Sequence, residues 1–409
     1  MDREHVDIDF GVSGNWTPEM TERVDWLREN EPVYWSEKTG HWIVTSYEGV
    51  SYVSKNNKIF CSGEGVRPGI PVRLSLIDED EPRHGKLRGL INRGFTPRMV
   101  SKLEVAFKEI VDEVIDEVAK KGQCDFVNDI AVPMPLLLIA EMIGIRKEDR
   151  ERFHHWSDAM IAGDGNLDKP DIAAAAGQAF VDYTTYVREI LEDRRQNPQD
   201  DLASILVGAE NDGILEKDMK RRGPDPSVPD DVPREELVMF MVLLLVAGNE
   251  TTRNGLSGGM QCLIENPEAR QRLIDDPSLI PQAVEEMLRW VSPVRTFSRT
   301  ATENADLCGV KVKKGEKVFM LYGAANRDSR EFENPEVFDI DRNPHHLAFG
   351  LGNHFCLGAN LARMEMRVAL AELLRRLPDM EFATHGPEFQ PSALVRTCSR
   401  MLVKYTPEA

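Results

Sequence analysis

Phe349-Gly350-Leu351-Gly352-Asn353-His354-Phe355-Cys356-Leu357-Gly358 sets one cysteine and one histidine among closely spaced glycines. Glycine lacks a Cβ, so this segment can bend tightly and bring its amide N–H groups close to a sulfur and to a flat ligand. Downstream, Ala359-Asn360-Leu361-Ala362-Arg363-Met364-Glu365-Met366 reads as a helix, expected over 359–376, that begins beside Cys356. A helix N-terminus favours a neighbouring anion, so the segment is suited to keeping Cys356 as a thiolate.

A thiolate donates strongly to haem iron and favours cleavage of a bound O–O bond, which makes Cys356 the candidate iron ligand. Cys61, Cys124, Cys262, Cys308 and Cys398 have no partner at ligand spacing and are expected to be small buried hydrophobes. Further upstream, Ala247-Gly248-Asn249-Glu250-Thr251-Thr252 lies inside a long apolar segment expected to be helical over 234–265. Gly248 costs about 1 kcal/mol there relative to alanine. In return it leaves room for a ligand to approach, while a threonine hydroxyl can bond back to a carbonyl one turn earlier and bend the helix. Close helix packing is the other account of these small residues, and Cys356 tips the balance toward a ligand. Successive residues point about 100° apart around a helix, so Glu250 and Thr251 face different ways. In Glu286-Met287-Leu288-Arg289 a carboxylate and a guanidinium share one helical face.

Taken in this order and spacing, the three motifs resemble those of the cytochrome P450 family, and the resemblance extends over nearly the whole chain. It implies a mainly α fold with small β-sheets, a single haem-thiolate domain over 1–409, and haem b (iron protoporphyrin IX) held through Cys356. Phe349, Gly350 and Gly358 would shape the cysteine loop. The resemblance assigns Ala247 and Gly248 to a groove for O2, Thr251 to the haem side and Glu250 to a solvent path, the last two delivering protons. Glu286 and Arg289, with Arg342, would form a buried cluster that holds the cysteine loop. His84 and Arg88, one helical turn apart, together with Arg295 and His354, match positions that bind the haem propionates.

The implied activity is that of a monooxygenase, which uses O2, two electrons and two protons to insert oxygen into a hydrophobic substrate. The segment Gly65 to Leu74 is similar to the variable substrate loop of actinobacterial enzymes that hydroxylate sterol side chains and branched lipids, so a steroid, terpenoid or branched lipid is favoured. No flavin or iron–sulfur segment is apparent. Electrons are therefore expected from NAD(P)H through a ferredoxin or flavodoxin with its reductase, docking where Arg363 and Arg367 add positive charge. A peroxide-driven peroxygenase and a non-catalytic haem sensor are the rivals, and neither needs the Glu250–Thr251 pair.

Composition narrows the class further. A net charge of −19 argues against nucleic acid, which requires clustered Lys and Arg. The residues 1–10 are too charged for a signal peptide, and the apolar run Leu237 to Gly248 is too short for a bilayer, so no membrane anchor is expected. Unpaired cysteines suggest a reducing, cytoplasmic setting. Arg221 to Pro233, rich in proline and charge, reads as a surface loop. Residues 32–35 and 41–45 read as strands joined by a turn at 38–40. Helical periodicity runs from about Met99 through Val118, and helices are expected at 136–143, 173–195, 267–275 and 281–291.

Overall fold

The computed structural model describes residues 6–67, 75–95, 97–163, 169–211 and 232–409. Most of the Gly65–Leu74 segment and the stretch 221–231 lie outside the described residues. The helices are α1 Pro18–Asn30, α2 Tyr47–Lys55, α3 Arg83–Ile91, α4 Pro97–Ala119, α5 Pro133–Ile143, α6 Arg150–Gly163, α7 Pro170–Gln196, α8 Leu202–Asn211, α9 Val232–Glu265, α10 Pro267–Asp275, α11 Ile280–Val291, α12 Tyr322–Ala325 and α13 Ala359–Arg376. The strands are β1 Val33–Ser36, β2 His41–Val44, β3 Phe60–Cys61, β4 Gln123–Asp125, β5 Thr296–Ala301, β6 Ala305–Leu307, β7 Val310–Val312, β8 Lys317–Leu321, β9 Glu381–Phe382, β10 Glu388–Gln390, β11 Thr397–Arg400 and β12 Leu402–Lys404.

These elements form two compact units, one of residues 1–71, 107–135 and 250–409, the other of 72–106 and 136–249. The first carries every strand found among the described residues. Its main sheet has the order β1-β2-β8-β5-β3, with β2 and β8 parallel and the remaining pairs antiparallel. The expected hairpin is present: Trp35 pairs with Trp42, and Gly40 takes the left-handed conformation that its turn requires, at φ 69°. Val44, Val50, Val53, Phe60, Val318, Met320, Tyr322 and Leu347 form one buried cluster, which packs α2 on the sheet and draws in the chain just ahead of the cysteine loop. Small sheets β4-β12-β9, β10-β11 and β6-β7 complete the unit.

The second unit is helical among its described residues. Tyr183 of α7 is fully buried and donates its hydroxyl to the Met241 carbonyl of α9 at 3.0 Å, while its ring meets Phe153 and Trp156 of α6. Helices α1, α2, α3, α6, α8 and α12 lie outside the periodicity reading, and in α2, α3 and α6 polar residues take some of the buried positions. Arg83 and His84 of α3, for example, are buried beside Leu87, Leu90 and Ile91. Phe126–Ile143 is long and apolar enough to cross a membrane by length and composition, beyond the run expected from sequence, but 72% of it is buried inside the protein. Cys124, Cys262 and Cys398 are buried as expected. Cys61 and Cys308 depart from that expectation: Cys61 is half-buried, and Cys308, in the β6–β7 turn at φ 52°, is exposed.

Candidate active site

The cysteine loop is ordered by its own backbone. Gly350 N–H donates to Leu347 O at 2.9 Å, Phe355 N–H to Gly352 O at 3.0 Å, and Cys356 N–H to Phe349 O at 2.9 Å. Gly350 and Gly352 sit at φ 65° and 71°, in the left-handed region, and a Cβ at Gly352 would lie 2.5 Å from the Ser54 carbonyl oxygen. Gly358 caps α13, and a Cβ there would meet nothing within 4 Å, so its missing side chain keeps a face clear and does not serve packing. Cys356 is exposed, forms no disulfide, and immediately precedes the first turn of α13. The partial positive charge of that helix end stabilises a thiolate.

Glu286 and Arg289 of α11 are fully buried and paired bidentately, with Arg289 Nε and Nη2 each 2.7 Å from a Glu286 oxygen. The remaining Arg289 donors reach Asn326 O, Pro335 O and Val337 O at 2.9, 3.0 and 3.2 Å. Arg342 Nε donates to Glu286 Oε1 at 3.3 Å, and the Asp339 N–H reaches the same oxygen at 3.0 Å. The structure thus brings together the three residues that the sequence set apart as a cluster. They tie α11 to the segment that leads into the cysteine loop.

Along α9, Ala247 is exposed and Thr251 half-buried, whereas Asn249, Glu250 and Thr252 are buried. The expected divergence of Glu250 and Thr251 holds, but the expected direction of Glu250 does not. Its Oε1 accepts from Asn254 Nδ2 at 2.9 Å and from Thr397 Oγ1 of β11 at 3.2 Å, and Arg253 forms an ion pair with it. A carboxylate can be buried when donors replace water in this way, so Glu250 faces β11 and not a solvent path. Gly248 has a packing neighbour: a Cβ there would come within 2.9 Å of Ile139 Cδ1 on α5. Asn249 Nδ2 donates to Ser157 Oγ of α6 at 3.0 Å.

His84 and Arg88 share a face of α3. His84 is buried with Nδ1 3.2 Å from Glu81, and burial draws its pKa down against the pull of Glu81. In the other unit, His354 Nε2 lies 3.0 Å from Ser62 Oγ. Arg295 stacks on the Trp16 ring at 5.0 Å and donates Nε to Val395 O at 3.3 Å; burial, with Arg396 nearby, pushes its guanidinium down to about 10. No carboxylate among the described residues pairs with Arg295. The sequence reading passed over Arg299, which is buried on β5 close to Tyr322. Tyr322 also stacks edge-on with Phe297 of β5, and its hydroxyl lies 3.9 Å from the position of a Cβ on Gly350. A buried arginine in a short strand is rare enough to be a signal in itself. A cysteine at a helix start, Arg295 with no carboxylate partner among the described residues, a histidine and a glycine-cleared face make a donor set that fits a flat, dianionic, iron-bearing ligand.

Arg363, expected to offer charge to an electron donor, is already held by Glu285 of α11 through two hydrogen bonds of 2.7 and 2.8 Å. Its charge is spent inside the fold because the carboxylate faces it across α11 and α13.

The family model described as Cytochrome P450 matches residues 169–380. A steroid C26-monooxygenase of Mycolicibacterium smegmatis is 37% identical over 387 residues, covering 94% of this chain and 92% of that protein. A methyl-branched lipid omega-hydroxylase of Mycobacterium tuberculosis is 40% identical over 363 residues, covering 85% of this chain and 80% of that protein. Among solved structures, CYP109E1 from Bacillus megaterium in complex with testosterone matches with a TM-score of 0.81 at 35% identity, covering 94% of this chain and 99% of that one.

Proposed function

The chain belongs to the cytochrome P450 family and is a haem-thiolate monooxygenase, and from that premise we propose that it hydroxylates a bulky apolar molecule of the steroid or methyl-branched lipid class. The observation that carries the haem-thiolate chemistry is the cysteine loop, in which left-handed glycines and the start of α13 hold Cys356 exposed beside a helix N-terminus, while the substrate class rests on the relatives' activities. When bound, the haem supplies activation of O2 and insertion of one oxygen atom into a C–H bond.

The residues of this chain do the rest. Cys356 ligates the iron as a thiolate. Phe349, Gly350 and Gly358 shape the loop around it. Arg295, Arg299, His354, His84 and Arg88 serve as donors to the propionates, Arg299 being added by its burial beside Tyr322. Ala247 and Gly248 leave space along α9, and the Thr251 hydroxyl holds a proton at Oγ1 on the accessible side of that helix. Glu250 is the carboxylate beside it in the chain, which relays a proton only when its hold by Arg253, Asn254 and Thr397 is released. Glu286, Arg289 and Arg342 secure the approach to the loop. Electrons come from NAD(P)H through a ferredoxin or flavodoxin and its reductase, in the cytoplasm.

The ferrous carbon monoxide difference spectrum tests the thiolate. Wild type is expected to absorb at about 450 nm and Cys356→His to lose that band. A band at about 420 nm in fresh wild type removes the thiolate and the monooxygenase mechanism with it. Titration with steroids, terpenoids and methyl-branched fatty acids, read in the visible spectrum, then assigns the substrate class.

A further inference from the structure

A second charged cluster borders the cysteine loop, and no step above uses it. Arg363 of α13 and Glu285 of α11 are joined by a bidentate pair at 2.7 and 2.8 Å. His346 Nε2 lies 3.2 Å from Glu285 Oε2, and the Ala348 N–H donates to His346 Nδ1 at 3.1 Å. Nδ1 therefore presents a lone pair, and the ring proton sits on Nε2, pointing at the carboxylate. Burial alone would raise the Glu285 carboxyl, but bonds from His346 and Arg363 outweigh it and bring the group down to about 2.

The cluster also grips the loop through its aromatic residues. The Arg363 guanidinium lies 4.6 Å from the Phe349 ring centroid, His346 lies 5.7 Å from it, and Phe349 meets Phe355 edge-on at 6.3 Å. Phe349 O in turn accepts the N–H of Cys356 at 2.9 Å. One carboxylate on α11 thus holds the chain before the cysteine, through His346, and the helix after it, through Arg363. Both arms converge on Phe349, whose carbonyl bonds the cysteine itself.

We infer that Glu285, His346 and Arg363 are positioning residues for the thiolate: together they fix the loop geometry that keeps Cys356 on the iron. This rests on the thiolate reading of Cys356. It also gives Arg363 a role in holding the ligand, in place of recruiting an electron donor.

The test uses the purified holoprotein and three single variants, Arg363→Met, Glu285→Gln and Arg363→Lys, with the double variant Arg363→Met/Glu285→Gln. Carbon monoxide spectra are followed during storage, and the reduction potential and haem transfer to an acceptor protein are measured alongside. Arg363→Met and Glu285→Gln should each speed loss of the 450 nm band and of haem by about 10-fold, as loss of residues that orient a ligand typically does. Arg363→Lys should fall between these and wild type, because lysine keeps the charge but not the fork. The double variant should be no worse than the worse single variant, since both break one unit. Singles with unchanged spectra, potential and haem retention would overturn the inference, and so would a double variant with additive loss. A wild type without the 450 nm band would overturn the thiolate reading instead, so the two failures are distinguishable.

Discussion

Glu286 on α11 and Glu365 on α13 are both buried, at 0% and 4% exposure, yet what surrounds them is opposite. Glu286 lies against Arg289 and Arg342 and accepts the Asp339 N–H. No donor among the described residues reaches Glu365 Oε2, and burial pushes that carboxyl up to about 8. Removing a carboxylate from water costs several kcal/mol unless cations and N–H groups replace the water. Where they do, the ion pair is kept; where they do not, the group keeps its proton. The two helices that meet at the cysteine loop therefore use buried acids differently, one as a charged hub and the other as a neutral, pH-sensitive group.

The largest effect expected from this contrast follows from breaking the hub. Arg289→Ala leaves Glu286 buried with Arg342 as its remaining cation and should cost about 3 to 5 kcal/mol in urea unfolding, with poor haem incorporation. A loss below about 1 kcal/mol would mean that the pair is not the anchor the geometry indicates.

A smaller effect comes from Glu365, and its sign is set by linkage. The folded carboxyl, at about 8, holds its proton above the ordinary value of 4.5, so across that window the folded chain binds one proton more than the unfolded chain. The stability from this group is fully present below the lower value and is lost as pH rises toward the upper one, at about 1.4 kcal/mol per pH unit at most. Glu365→Gln should flatten that slope, as read from urea midpoints at several pH values. Parallel slopes in the two proteins would show that Glu365 is solvated or paired in solution.

The smallest effect belongs to a pair of similar form on the surface. Arg272 and Asp341 are joined at 2.7 and 3.0 Å, but both are exposed. Arg272→Ala should leave the melting temperature and the carbon monoxide spectrum unchanged, because solvent screens such pairs. A clear loss there would blur the distinction between buried and exposed pairs on which the comparison depends.

Much of this was legible in the residues. Positive φ at Gly350 and Gly352, the start of α13 at Ala359 and the Glu286–Arg289 spacing are local properties that one short stretch of chain decides. What escaped was set by partners far away. Helical period separates Glu250 from Thr251, but nothing near Glu250 announces that Thr397, 147 residues on, closes over it. Arg295 was singled out after Ser292-Pro293-Val294, while Arg299 was missed, since the mixed polar sequence of β5 hides which residues face Tyr322 until β8 pairs beside it. Arg363 looked like a free surface cation on its helix, and only the juxtaposition of α11 and α13 pairs it with Glu285.

The sequence by itself determined the family and the loop that presents Cys356, because glycine conformation, helix start and residue spacing act within a few residues. Tertiary structure alone decided which acids are charged, which arginines are committed and which side of α9 meets solvent. Those outcomes depend on desolvation and on donors brought together from distant parts of the chain, and no local pattern encodes them.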